Sequence, residues 1–185
     1  MKKDPLRLKI LFQSILFLII PYSLFSSPVL FDMGTGQSSV YDGFKRVTIH
    51  DKYSEVAGFG WKSSDNLAEQ EKAFTQMVFN AGLGFNVPPN IWTNPITEDA
   101  IIGSSENSFI FGAPAGSYHI YIVCGTSQIV RNQYYDFTVK IGSEQKRVQF
   151  EGGQQFHSLK FHIKKGSEPV TVQFSPLNKF VVNAI

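Results

Sequence analysis

The chain has 185 residues, 17 basic and 15 acidic, for a formal net charge of +2. The first 26 residues hold Lys2, Lys3, Arg7 and Lys9 against Asp4, an excess of +3, so the remaining 159 carry a net charge of −1. That near-neutral body lacks the basic field that nucleic-acid binding requires. At 43% hydrophobic and 17% charged, the chain is too apolar for disorder and long enough to bury a core as one domain. Its single cysteine excludes a disulfide scaffold and a Cys-based zinc site.

Residues 1–26 read as a signal peptide. Met1 to Lys9 is a basic stretch and Ile10 to Leu24 is mostly apolar, densest from Ile15 to Ile20. Pro21 breaks the helix, and Ser23 and Ser26 supply small residues for a cleavage site after Ser26. The apolar run is shorter than the roughly 20 residues of a membrane span and is interrupted by Gln13 and Ser14. Export is therefore the expectation, to the periplasm or the medium, with no membrane span after cleavage. An N-terminal anchor and a buried core helix are the alternatives. In an exported protein the lone Cys124 is expected to be buried and inert.

From Ser117 onward the apolar residues recur with period two, the signature of half-buried strands. Tyr118, Ile120, Ile122 and Cys124 share one face, with His119, Tyr121 and Val123 on the other. Tyr135, Phe137, Val139 and Ile141 follow the same rule, as do Leu159, Phe161 and Ile163, then Val170, Val172 and Phe174. Lys179 to Ile185 is apolar on both faces, as a central strand is. Turn signals at Gly142-Ser143, Gly152-Gly153, Lys165-Gly166 and Ser175-Pro176 separate the runs. Short strands divided by polar turns predict a β-sandwich. One helix is predicted, over Asn66 to Ala81, with Asn66 and Glu69 as a capping pair, Leu67, Phe74, Val78 and Ala81 on one face, and Gly82 closing it. Gly84 to Asn94 reads as a loop.

Chemistry-bearing motifs are scarce. The sequence has no nucleophile elbow, no His-Glu-x-x-His and no phosphate loop; Gly34-x-Gly36 has no third glycine and no helix pattern after it. His119 and Cys124 are five apart on one strand, as are His157 and His162. Each pair therefore faces opposite sides, which argues against a Cys–His dyad and a shared metal. Glu98 and Asp99 are adjacent and diverge, so they make poor partners for paired-carboxylate hydrolysis; a turn or cap role suits Asp99. The chain is expected not to be an enzyme.

Aromatic and amide side chains remain. Sugars stack apolar ring faces on Trp or Tyr while amides and Arg bond the hydroxyls. Trp92 with Asn90 and Asn94 in one loop, and Arg131, Asn132 and Tyr134 in another, are the candidate ligand face. Trp61 is expected in the core.

Phe31-Asp32-Met33-Gly34-Thr35-Gly36, Gly43-Phe44-Lys45-Arg46-Val47-Thr48, Tyr53 and Gly58-Phe59-Gly60-Trp61 occur in that order. The series resembles the N-terminal β-sandwich of secreted polysaccharide lyases and rhamnogalacturonan acetylesterases. Glu98-Asp99 before Ile102-Gly103 is similar to that family's Arg-Asp-x-x-x-Gly turn, with Glu98 where the family has arginine. Phe109 to Tyr118, through Pro114-Ala115-Gly116, resembles its approach to a long strand, and Val181-Val182-Asn183-Ala184-Ile185 its closing strand. Lys62 to Asn94 reads as an insertion.

The resemblance implies an all-β, galactose-binding-like jelly-roll sandwich over 27–185 with one short helical insertion. Its architecture is that of malectin-like domains and calcium-dependent carbohydrate-binding modules. The implied function is a non-catalytic module that binds a polysaccharide and is accessory to, or a fragment of, a degrading enzyme, with a glycan and a catalytic domain as partners. A packing module that binds no sugar, and a small lyase or esterase, are the alternatives. No cofactor is required, but a structural calcium is admitted by the resemblance; Asp32 and Asp42 near turns are the oxygen donors in view, without a recognisable ligand cluster.

Overall fold

The computed structural model describes residues 28–70, 95–126, 133–151 and 155–185. Twelve strands and one four-residue helix occur among them. β1 (Phe31–Met33), β2 (Lys45–Val47), β3 (Phe59–Trp61) and β4 (Leu67–Gln70) precede the helix α1 (Pro95–Glu98). Then follow β5 (Ala100–Gly103), β6 (Asn107–Phe111), β7 (Gly116–Thr126), β8 (Tyr134–Ile141) and β9 (Glu144–Glu151). β10 (Gln155–Lys165), β11 (Val170–Pro176) and β12 (Phe180–Val182) complete the chain. Among the described residues no helix is long and apolar enough to cross a membrane.

One layer is an antiparallel sheet in the order β3-β6-β11-β8-β9. Its apolar alternation supplies one inward face, with Phe109, Phe111, Val172, Phe174, Phe137, Val139, Val148 and Phe150 all buried. The β8–β9 hairpin closes on Gly142-Ser143, where Ile141 pairs with Glu144 and Gly142 has φ of 59°. That left-handed conformation suits glycine and matches the twist of the two strands.

The facing layer is stitched together by the C-terminal run. β12 pairs antiparallel with β5, which pairs with β4. Beyond Val182 the chain shifts its pairing: Phe31 and Ile185 exchange backbone bonds, and Val123 bonds with Asn183 and Ala184. Residues 183–185 thus lie between β1 and β7, and β10 flanks β7 through an eleven-pair antiparallel register. Buried on both faces, this run is the central strand that its apolar composition predicts. The layers meet through aromatic rings. Phe180 stacks on Phe174 at 4.9 Å, Trp61 on Phe180 at 6.3 Å, and Phe31 meets Phe109 edge-on at 5.0 Å. Trp61 is fully buried, as expected. The fold is an all-β sandwich.

The predicted helix does not begin at Asn66. Asn66 has φ of 58°, and Leu67–Gln70 is a strand whose residues pair with Gly103 through Ala100. A left-handed asparagine and a non-local partner strand outweigh the local capping pattern. Part of the expected insertion is therefore sheet. Residues 71–81 of that helix, and the loop from Gly84 to Asn94, lie outside the described residues. β9, a strand that the sequence reading does not predict, carries charges at Glu144, Lys146, Arg147 and Glu151, and its apolar alternation is confined to Val148 and Phe150.

Candidate functional site

Of the predicted ligand residues, Asn90, Trp92, Asn94, Arg131 and Asn132 lie outside the described residues. Tyr134 opens β8 rather than standing in a loop, because it pairs with Glu151. Its hydroxyl donates to Asp136 Oδ2 at 3.3 Å and accepts from the Gln149 amide. Asp136 also takes two parallel bonds from Arg147, at 2.8 and 2.7 Å. That pairing holds the Asp136 carboxyl below its ordinary range.

Two other places carry chemistry. The first is buried and lies against β1. Phe31 and Met33 enter the core, so by strand alternation Asp32 points the opposite way. It is nevertheless only 3% exposed, and its Oδ2 accepts from the Tyr41 amide at 3.1 Å. Asp99, between α1 and β5, is equally buried, and its Oδ2 accepts from the Thr35 amide at 2.6 Å. Gly34 makes this approach possible, since a Cβ there would collide with the Asp99 carboxylate. Asn183 is 1% exposed and donates its side-chain amide to the Asp99 carbonyl at 2.8 Å.

Three oxygens are left over. Asp32 Oδ1, Asp99 Oδ1 and Asn183 Oδ1 are buried and have no hydrogen-bond partner. Burial raises the Asp32 carboxyl to about 6, helped by the neighbouring charge of Asp99 and opposed by the Tyr41 amide. Burial raises Asp99 as well, opposed by bonds from Ser38 and Thr35. Arg46 lowers Asp32 only weakly, because its guanidinium is exposed and donates to the carbonyls of Gly36 and Ser38. A buried carboxylate without a counter-charge is costly, and a cation relieves it.

The donor set decides which cation fits. Two carboxylates and an amide offer only hard oxygens, the preference of calcium; zinc takes nitrogen and sulfur. Among the described residues no group of three or more His, Cys, Asp or Glu could hold a metal ion. The third oxygen here is an amide, and calcium's remaining ligands would be backbone carbonyls and water. Asp42, named from the sequence, is exposed and stands outside this cluster.

The second place is the outward face of β7 and β10. Ile120, Ile122, Cys124 and Phe161 point into the core. The alternate positions His119, Tyr121, Lys160, His162 and Lys164 are exposed. The register sets Tyr121 opposite Lys160 and His119 opposite His162. The imidazole centroids are 4.9 Å apart, and Lys160 Nζ lies 5.5 Å from the centre of the Tyr121 ring. Tyr121 is 53% exposed. Sequence alternation put His119 and Tyr121 on the outward side of β7, but nothing local showed which strand would lie beside it.

Neither place is a nucleophilic centre. Cys124 is fully buried and burial raises its thiol far above the ordinary range, while His119 is on the opposite face of the strand.

No protein-family model matches the chain, and none of the curated proteins is similar to it. Among solved structures it is similar to the YxiM protein of Bacillus subtilis, with a TM-score of 0.52 and 16% identity over 85% of this chain. The chain spans 40% of that protein's length. A more distant likeness, with a TM-score of 0.31 and 14% identity, covers 47% of this chain and 68% of TmCBM61, solved in complex with β-1,4-galactotriose. The chain is thus an all-β sandwich that shares its fold with part of the YxiM protein.

Proposed function

We propose that the chain is an exported, non-catalytic carbohydrate-binding module that holds a polysaccharide beside a degrading enzyme's catalytic domain. It would be an accessory to that enzyme or a part of it. The observation that carries this reading is the exposed Tyr121 ring on the outward face of β7. An aromatic ring open to solvent on a strand is a stacking surface for the apolar face of a pyranose. His119 and His162 beside it supply donors and acceptors for ring hydroxyls. Holding a polymer near a catalytic domain raises the effective concentration of its bonds without any chemistry in the module. Export rests on the basic and apolar leader of residues 1–26.

Asp32, Asp99 and Asn183 would hold a calcium ion, which supplies the positive charge that their buried oxygens lack. Their part is architectural. Together they tie β1, the turn before β5 and the C-terminal run to one point.

Isothermal titration of residues 27–185 against a panel of plant and bacterial glycans tests the reading. Saturable binding that weakens about tenfold, roughly 1.4 kcal/mol, in Tyr121→Ala is expected. A folded protein that binds no glycan overturns it in favour of a module that packs on another protein.

A further inference from the structure

Nitrogen and sulfur ligands for a metal ion are scarce in this chain. It has four histidines and one cysteine, and Cys124 is buried in the core. His157 is half-buried, lies against the Phe150 ring at 5.1 Å and keeps its Nε2 out of solvent. His119 and His162 differ. Both are exposed, and the antiparallel register of β7 and β10 sets them directly opposite each other on one face. Opposed residues of such a pair have Cβ atoms about 4.5–5.5 Å apart, so the backbone holds the two imidazoles side by side. Their centroids are 4.9 Å apart, with 35° between the ring planes. Neither ring has a hydrogen-bond or ion-pair partner among the described residues.

We infer that His119 and His162 form a two-histidine chelate for a divalent transition-metal ion of the zinc class, which clips β10 to β7, with water in the remaining positions. A zinc–nitrogen bond is about 2.0–2.1 Å long, which sets the ion about 3.2 Å from the centre of a ligating ring. Two such rings at the tetrahedral angle have centroids about 5.2 Å apart, close to the 4.9 Å seen here. Side-chain rotation alone therefore turns one nitrogen of each ring onto a common ion. Imidazole suits zinc, copper and nickel, whereas calcium takes oxygen. The site is thus chemically separate from the buried oxygens of Asp32, Asp99 and Asn183. Among the described strands β10 pairs only with β7, so an ion held by both strands adds a cross-link at the edge of the layer. Lys160 and Lys164 flank His162 on the same face, and their charge opposes a dication. Both are exposed, so salt screens that repulsion beyond about 8 Å, and Lys160 is drawn over the Tyr121 ring. The inference stands apart from the glycan reading, which Tyr121 carries.

Isothermal titration of zinc chloride into the untagged chain, with calcium in excess to hold the oxygen sites, tests it. One zinc per chain is expected. His119→Asn and His162→Asn should each weaken binding about tenfold or more, since loss of even an outer-shell partner of a metal costs about 10–100-fold. His50→Asn should bind as the wild type does. Both rings are exposed, so the variants should give the wild-type circular dichroism spectrum. A second readout needs no variant: in proton–nitrogen spectra of the imidazoles, zinc should shift His119 and His162 together and leave His50 and His157 in place. Zinc should also raise the wild-type Tm and leave that of the His119→Asn/His162→Asn double variant unchanged. A chain that takes up no zinc overturns the inference and leaves the imidazoles as a cross-strand stacking pair. Full affinity in both single variants, or shifts at His50 in place of the pair, puts the ion elsewhere and overturns it as well.

Discussion

The side-chain amide of Asn183 donates to the backbone carbonyl of Asp99 at 2.8 Å across 84 residues of sequence. Asn183 also gives its own carbonyl to the Met33 amide. One residue of the C-terminal run therefore bonds both β1 and the turn that carries Asp99. Its amide donor goes to Asp99, and its Oδ1 is buried without a hydrogen-bond partner.

Removing that side chain breaks the junction. Asn183→Ala strands the buried Asp99 carbonyl, a cost of about 1–3 kcal/mol, and lowers Tm by several degrees in thermal unfolding followed by circular dichroism. Asn183→Asp keeps the side-chain shape but loses the donor to the Asp99 carbonyl and adds a third buried carboxylate, so it destabilises in chelator and recovers in part when calcium is added. A variant indifferent to calcium would remove Asn183 from the cation site.

The acidity of Asp32 sets a pH dependence. Its folded value of about 6 lies above the ordinary 3.8, so between those values the folded state holds a proton that the unfolded state has released. Stability from this group is thus greatest below about 4 and is lost as pH rises through about 6. In chelator the protein should melt higher at pH 5 than at pH 7, by a few degrees, and saturating calcium should reverse the order. Asp32→Asn should flatten the chelator profile. A wild-type Tm that rises steadily from pH 5 to pH 7 in chelator refutes the assignment.

Gly34 is set by contact rather than by a turn. Gly34→Ala drives a methyl group into the Asp99 carboxylate, and overpacking of this kind costs about 1–3 kcal/mol. The denaturant midpoint should fall with an unchanged m-value. Asp99→Gly, added to Gly34→Ala, should restore part of the loss, because the double variant removes the clashing group. A Gly34→Ala protein as stable as the wild type would show that the loop before Ser38 moves aside.

The strands were legible where alternation is strong. Ile120, Ile122 and Cys124 turned inward as their spacing demands, because side-chain direction in a strand is a local property with period two. Leu67–Gln70 escaped for the opposite reason: its neighbours suggest a helix, and only pairing with β5 makes it a strand. Asp32 was visible near a turn, but its tie to Asp99 and Asn183 was not, since no spacing rule connects first strand, middle turn and last strand.

The sequence by itself determined the class of the fold, the burial of Trp61 and the inward face of each long strand. These follow from hydrophobic period, which acts between near neighbours. Tertiary structure alone decided that 183–185 would leave β5 for a place between β1 and β7, that His119 would meet His162, and that Asp32, Asp99 and Asn183 would each bury an unpaired oxygen. Those are matters of register between distant segments, settled by the joint burial of both layers rather than by any one stretch of chain.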